Sequence, residues 1–423
     1  MNNSPQILLI APQCYPVCGP EHNVNAKLVK MLTDGGYVVD LISVDYKNIT
    51  YPTSNFEYFF TGVREKILVK LSPQSSRFVK KLHSLRASLY VGGYVALTYE
   101  EEKIIIVVDR LCKLHKYDYV LTKVGGANAG IYCAKRYKIK LIYTFNDPWP
   151  FDRSPAPYGF GPKAPISWKD KQMMKNITKI SYKIQFPSLR LMNYMMQYLP
   201  NVAHNKGVVF PHIVTSALIN NDLRKKVSSV QKNHELRILY SGSIGKWRDP
   251  QVLFEGLCLF LEKNENALFK IQILGVEQKP LPGRTAKDYV SRYHLEKYVE
   301  ILPPVSYEES LIYILESDVC LILEAKCDEG IYMPTKITDY QQCRKPIWAI
   351  SPAIGVLNDL YKSNVIDYFS EVTSAISVRD SFENIYTDFV SKGGFLNCKD
   401  SSLFYDVNVI KEIQRCLDKK SRL

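Results

Sequence analysis

The sequence predicts an α/β chain folded as two doubly wound halves. Three observations carry this expectation. Strand-length and helix-length apolar patterns alternate through both halves of the chain. A polar stretch rich in Lys, Asn and Ser interrupts them at 220–235. A loop with two glycines follows the first strand of the second half, where a parallel sheet presents ligand-binding backbone. The 423 residues suffice for two or three domains and a large core. With 46% hydrophobic and 23% charged residues, the composition is that of a globular protein rather than a disordered one.

The elements follow from local pattern. The apolar run at 6–11 reads as a strand, and 21–33 as a helix stopped by Asp34-Gly35-Gly36. A second strand is predicted at 38–44. Then come a helix at 100–115, a strand at 119–123, a helix at 127–137 and a strand at 140–145. The half closes with a helix at 167–180, a strand at 183–186, a helix at 188–199 and a strand at 207–210. Beyond the linker, strands are expected at 237–241, 269–274, 299–302, 319–323 and 346–350. Helices are expected at 250–261, 307–315 and after Pro334, with a turn-rich piece at 278–284. Helices at 381–390 and 407–417 end the chain. The domain expectation is therefore 1–215, a linker at 216–236, 237–400, and a final segment at 401–423 that crosses back to the first domain. Two such halves leave a central cleft at the carboxyl ends of their strands.

No apolar run approaches the roughly 18 residues that span a bilayer. The first five residues lack a basic segment and lead directly into a strand, so no signal peptide is expected. The ten cysteines are scattered without a CxxC pair, which fits reduced thiols in a cytoplasmic protein. The net charge of +13 calls for an anionic partner: nucleic acid, lipid headgroups or nucleotide phosphates. Seven of the bases (Arg64, Lys66, Lys70, Arg77, Lys80, Lys81 and Arg86) crowd into 61–90 against one acid, Glu65. From Arg77 the apolar positions 78, 82, 85 and 89 share a helical face, so the segment suits peripheral contact with a membrane surface. A core helix with a lysine-rich outer face is the plainer alternative.

The most informative stretch is Met333-Pro334-Thr335-Lys336-Ile337-Thr338-Asp339-Tyr340, followed by Lys345-Pro346. Pro334 can open a helix, and Thr335 or the residue before Pro334 can cap it. A cation in the first turn is unfavourable unless an anion neutralises it, which points Lys336 at phosphate. Asp339 lies on the same face one turn later, placed to hold a ribose hydroxyl. An ordinary solvated ion pair is the alternative. A second site is Ser241-Gly242-Ser243-Ile244-Gly245-Lys246-Trp247-Arg248. Its glycines allow close backbone approach, and Lys246 and Arg248 supply charge, Arg248 as a planar fork. A surface turn with incidental bases would read the same.

Three weaker sites complete the set. Gly19 in the first loop could bring backbone N–H groups to a diphosphate or sugar. Asn146 and Asp147, ending the strand at 140–145, could hold an acceptor hydroxyl or receive its proton, although an Asx turn before Pro148 would also explain them. The acidic loop at 324–330, with Asp328 and Glu329, could bind sugar hydroxyls. There is no DxD, so no metal is expected on the diphosphate, and neither Walker A nor HExxH occurs. The bases are not interleaved with stacking aromatics as in a nucleic-acid module, so no nucleic-acid partner is expected.

In this order, the loops resemble those of the GT-B glycosyltransferases, and more narrowly the retaining group 1, family 4-like bacterial polysaccharide enzymes. Tyr240-Ser241-Gly242-Ser243-Ile244-Gly245 with Arg248 resembles that group's strand-then-glycine loop. Pro334 to Tyr340 with Lys345-Pro346 resembles its PSK…EY…GKP segment. The departures are definite. In the family's Glu-x7-Glu pair, Asp339 takes the second position and Ile331 the first. Asn146 stands where a histidine is common, and Arg344 replaces a glycine.

The resemblance implies two Rossmann-like domains and transfer of a sugar from a nucleoside-diphosphate sugar to a saccharide or lipid-linked acceptor, in surface polysaccharide synthesis. Retention of anomeric configuration is implied by the family alone. Asn146, Asp147, Arg248 and Lys336 are the expected catalytic residues. Gly19, Gly242, Ser243, Lys246, Arg248, Pro334, Thr335, Lys336, Asp339 and Glu329 are the expected donor-binding ones. No cofactor is expected beyond the donor co-substrate. A non-catalytic sugar-nucleotide-binding scaffold and a GT-B sugar-nucleotide 2-epimerase are the alternatives.

Overall fold

The computed structural model describes residues 4–46, 52–53, 56–71, 76–79, 81–82, 85, 99–123, 125–215, 218–219, 223, 227, 235–278 and 283–418. Two compact units divide the chain. The first comprises 1–154, 159–213 and 406–423, and the second 155–158 and 214–405.

In the first unit seven parallel strands form one sheet: β1 (Gln6–Ile10), β2 (Val38–Asp45), β3 (Glu65–Lys70), β4 (Tyr119–Thr122), β5 (Lys140–Thr144), β6 (Ser181–Phe186) and β7 (Gly207–Val209). Their spatial order is β3-β2-β1-β4-β5-β6-β7. The order reverses beside β1, whose neighbours β2 and β4 lie on opposite sides with Ile10 opposite Ile42 and Thr122. The helices are α1 (Pro20–Asp34), α2 (Tyr99–Leu114), α3 (Ala127–Tyr137), α4 (Trp168–Ile180) and α5 (Leu189–Met196). The strands are apolar along their length because both faces are covered; Ile7, Leu8, Leu9 and Ile10 are all fully buried. Edge strand β3 was not expected. Its charged sequence EKILVK hides the alternation, and a buried carboxylate fixes it instead. Asp40 on β2 accepts from Arg64 Nε at 3.0 Å, from the Glu65 amide at 3.0 Å and from the Tyr117 hydroxyl.

The second unit is built on six parallel strands: β8 (Leu236–Ser241), β10 (Phe269–Leu274), β12 (Val299–Leu302), β13 (Val319–Leu323), β14 (Ile347–Ser351) and β15 (Tyr368–Glu371). Their order is β12-β10-β8-β13-β14-β15, and short β9 (Ile244–Gly245) pairs with β11 (Glu277–Gln278) beside them. Helices α6 (Gln251–Leu261), α7 (Ala286–Arg292), α8 (Tyr307–Glu316), α9 (Lys336–Gln342), α10 (Val356–Lys362) and α11 (Ala375–Ser391) cover the sheet. Phe254, Phe260, Phe269, Trp348 and Phe382 form its aromatic core. Gly256 lets α6 and α11 approach; a Cβ there would lie 2.4 Å from Val378 Cγ1. Helices α7 and α10, of seven residues each, are too short to show a 3.6-residue period, and the sequence reading missed them. Strand β15 was also missed.

The last helix, α12 (Asp406–Asp418), groups with the first unit. Its Ile410 packs on Gly35, and the Tyr119 hydroxyl donates to the Leu417 carbonyl at 3.0 Å. All ten cysteines are free thiols. Most of the polar linker at 220–235, part of the turn-rich piece at 278–284 and much of the basic segment lie outside the described residues. In what is described of that segment, Phe78, Leu82 and Leu85 are 70%, 50% and 63% exposed, so they pack into no core among the described residues. Among the described residues no helix is long and apolar enough to cross a membrane.

Asp40→Asn removes the negative charge that Arg64, Tyr117 and the Glu65 amide share, leaving donors opposed to an amide. It should lower unfolding stability by about 2–4 kcal/mol in urea titrations. An unchanged midpoint and slope would show that β3 is held by its ladder alone.

Candidate functional site

Three segments of the second unit converge at the carboxyl end of its sheet. The first is the turn after β8. Gly242 and Gly275 sit at φ +142 and +147, a region that favours glycine, and their backbones nearly touch. A Cβ on Gly242 would lie 2.6 Å from Lys336 Nζ, so a side chain there would push the tip of the lysine aside. The second segment is α9. Tyr340 pins it by accepting from the Ser241 amide at 3.2 Å and donating to the Leu321 carbonyl at 3.2 Å. The third is the end of β13, which carries Glu324, buried at 6% exposure.

Lys336 Nζ lies 4.0 Å from the centre of the Tyr240 ring, a cation–π contact. The amine is buried, and no hydrogen-bond partner reaches it among the described residues. Burial, and then the neighbouring Arg248, lower its pKa from 10.5 to about 7, against the opposing pull of Glu324. Arg248 donates from Nη1 to Ser243 Oγ at 3.3 Å, and its Nη2 stands 3.8 Å from Glu324 Oε1. Its Nε is buried with no partner among the described residues. Burial works against this charge too, but Glu324, Tyr158 and Tyr240 hold the guanidinium pKa above its ordinary value. A buried ammonium and a half-buried guanidinium thus stand against one carboxylate, and donors outnumber acceptors. Such a pocket suits an anion with several oxygens.

The other expected donor-site residues fall around this core in different ways. Lys246 is exposed on the same loop. Pro334 and Thr335 precede α9, but the Thr335 side chain makes no capping bond. The Ile337 and Thr338 amides close tight turns onto the Pro334 and Thr335 carbonyls, both at 3.2 Å. The helix start therefore offers fewer free N–H groups than its sequence suggests, and the anion-binding capacity rests on side chains. Asp339 accepts the Tyr307 hydroxyl on Oδ1 at 2.7 Å. Lys345 donates to the Ser317 carbonyl at 2.5 Å, at the end of α8. Glu324 opens the acidic loop and is the carboxylate beside Arg248; Glu329 lies half-buried further along it. The reading of that loop favoured Asp328 and Glu329. Glu324 ends an apolar strand, and only its burial beside two bases distinguishes it.

The first unit holds a separate polar cluster at the ends of β1, β4 and β5. Glu21, in the first turn of α1, accepts both Asn146 Nδ2 contacts (2.9 and 2.8 Å) and Asn25 Nδ2 at 3.1 Å. Lys123, buried just past β4, is lowered to about 8 by burial, with Glu21 and Cys14 opposing. Asp147 is exposed, and Gly19 precedes α1 with extended backbone at φ 165. Asn146 is therefore committed to Glu21. Neither Glu21 nor Lys123 stood out in sequence; their places next to the strand ends were the available signal. Nearby, Cys18 Sγ and His22 Nε2 are 3.3 Å apart. Burial pushes the thiol up to about 11 and the imidazole down to about 4, so the pair is neutral near pH 7. No group of His, Cys, Asp and Glu that could hold a metal occurs among the described residues.

No protein-family model matches the chain. No curated protein matches it in sequence. Solved structures do match. HepE of Anabaena, solved with UDP and glucose, aligns over 97% of this chain and 99% of its own, at TM-score 0.63 and 13% identity. Sucrose-phosphate synthase of Thermosynechococcus elongatus aligns over 97% and 98%, at TM-score 0.62 and 14% identity. UDP-GlcNAc 2-epimerase of Methanocaldococcus jannaschii aligns over 98% and 100%, at TM-score 0.53 and 13% identity. The likeness, which spans nearly the whole of each chain, shows the expected GT-B fold class: two α/β units, each on a parallel sheet.

Burial penalises the charge on Lys336. With a folded pKa near 7 against 10.5 in the unfolded chain, Lys336 costs most when protonated in both states, below pH 7. That cost fades as pH rises from about 7 toward 10.5. Lys336→Met should therefore stabilise the ligand-free protein, by about 1–3 kcal/mol more at pH 6 than at pH 9. Equal effects at both pH values in urea unfolding would show the amine to be solvated.

Proposed function

We propose that this chain is a glycosyltransferase that takes a nucleoside-diphosphate sugar and passes the sugar to a saccharide or lipid-linked saccharide acceptor, in surface glycan synthesis. The observation that carries the reading is the surplus of buried donors around Gly242: Lys336 Nζ and Arg248 Nε lack partners among the described residues, and one glutamate stands against two cations. A diphosphate supplies the missing acceptor oxygens and charge. The fold is shared with HepE, which was solved with UDP-glucose.

In this reading Arg248 and Lys336 stabilise the charge that develops on the leaving diphosphate, an effect of roughly 3 kcal/mol for one well-placed donor. Two fixed cations take the place of a metal, so transfer is metal-independent. The Ser243 hydroxyl steadies Arg248. Asp339, whose Oδ1 accepts the Tyr307 hydroxyl, is the carboxylate assigned to a ribose hydroxyl. In the first unit, the cluster of Glu21, Asn146 and Lys123, with exposed Asp147 nearby, supplies groups for acceptor hydroxyls. Retention of configuration is carried over from the resemblance. A cytoplasmic enzyme held at an anionic membrane fits the exposed Phe78, Leu82 and Leu85 beside Arg77 and Lys81. A 2-epimerase reading has the fold likeness to UDP-GlcNAc 2-epimerase in its favour. Conversion of UDP-GlcNAc without any acceptor would establish it in place of transfer.

UDP should raise the melting temperature with EDTA present, as expected for a ligand that binds only the folded state; at a hundredfold excess over Kd the gain is about 2.7 kcal/mol. Lys336→Ala should lose that shift while keeping a cooperative transition. If neither UDP, GDP nor CMP shifts the wild type, the donor site is not where we place it. Binding of an anion favours the ammonium form, so UDP affinity should fall as pH rises above about 7. A flat profile from pH 6 to 9, measured by calorimetry, would contradict a direct contact with Lys336.

A further inference from the structure

A third donor at this pocket comes from a distant part of the sequence. Residues 155–158 group with the second unit, although the chain on both sides of them belongs to the first. They form the tip of a closed loop. The Phe160 amide bonds the Asp152 carbonyl and the Gly161 amide bonds the Ser154 carbonyl, each at 2.8 Å. At Gly159 a Cβ would lie 2.7 Å from the Asp152 carbonyl oxygen, so a side chain there would force the base of the loop apart. The tip residue Tyr158 packs its ring against Tyr332 at 4.9 Å and Trp247 at 5.8 Å between centroids. Its hydroxyl is buried and makes no hydrogen bond of good geometry among the described residues. Arg248 and Glu324 are the charges nearest to it.

A buried hydroxyl without a well-formed hydrogen bond is unfavourable, and here it interacts with the Arg248 guanidinium, whose own Nε has no partner among the described residues. The aromatic contacts fix the ring, so the hydroxyl cannot turn away to find another partner. We propose that Tyr158 is a ligand-binding residue whose phenol donates a hydrogen bond to an oxygen of the anion held by Arg248 and Lys336. The inference rests on reading this pocket as a diphosphate site, and it adds a neutral donor that the donor-binding motifs do not contain. Burial and Glu324 raise the phenol's pKa, with Arg248 opposing, so it stays protonated and able to donate throughout the neutral range.

The test compares wild type, Tyr158→Phe and Tyr158→Leu by calorimetry with UDP, inorganic pyrophosphate and uridine, at pH 6 and 9. Tyr158→Phe keeps the ring, so the melting temperature of the ligand-free protein should not change. Its affinity for UDP and pyrophosphate should fall about tenfold, as expected for a lost bond to a charged acceptor. The factor should be the same at both pH values, and any uridine binding should be unaffected. Tyr158→Leu should weaken UDP at least as much and also lower the melting temperature. If Tyr158→Phe binds UDP as well as wild type does, the phenol is packing alone and the proposal is wrong. If wild type binds neither UDP nor pyrophosphate, the diphosphate reading fails and this inference falls with it.

Discussion

A buried ammonium near a half-buried guanidinium, with one buried carboxylate facing the guanidinium, is the constraint around which the second unit is arranged. A side chain at residue 242 would displace the tip of Lys336 from its position. Lys336 stays there because Tyr340 ties α9 to the backbone of both β8 and β13. The Tyr240 ring gives the ammonium a partial substitute for water. Glu324 offsets part of the repulsion with Arg248 but stands too far from Nη2, at 3.8 Å, to form a tight pair. The cluster holds a net positive charge that Glu324 offsets only in part.

The polar cluster of the first unit follows another logic. Glu21 is surrounded by amide donors, and Lys123 faces it with opposite charge. Charge there is balanced within the protein, so the cluster shapes a surface of amides and carboxylate suited to hydroxyls rather than to phosphate. Cys18 and His22 add a neutral pair, and the direction of both pKa shifts argues against a thiolate nucleophile. The second unit thus gathers unbalanced positive charge, and the first gathers a balanced set of amides, carboxylate and amine.

Much of this was legible in the chain. Alternating strand and helix patterns gave both sheets, because buried parallel strands are apolar without interruption and need no partner to be recognised. Strand β3 escaped because its ends are charged and a buried aspartate supplies what an apolar face usually supplies. Helices α7 and α10 escaped because seven residues hold no measurable period. Arg248, Lys336 and the glycines stood out because they follow local rules: glycine for close approach, bases next to a strand end or a helix start.

What the sequence alone determined is therefore the fold class and the presence of a base-and-glycine pocket. Both depend on residues close together in the chain. Tertiary structure alone decided which groups share that pocket. Glu324 rather than Glu329 meets Arg248, since the end of β13 lies buried beside it. Asn146 is occupied by Glu21, 125 positions away. The start of α9 closes on its own carbonyls, leaving the work to side chains. Tyr158 comes to Trp247 and Tyr332 from far outside their stretch of sequence. For Glu324, Asn146 and Tyr158 the deciding quantity is desolvation at a point where distant segments meet, and local pattern carries no record of it.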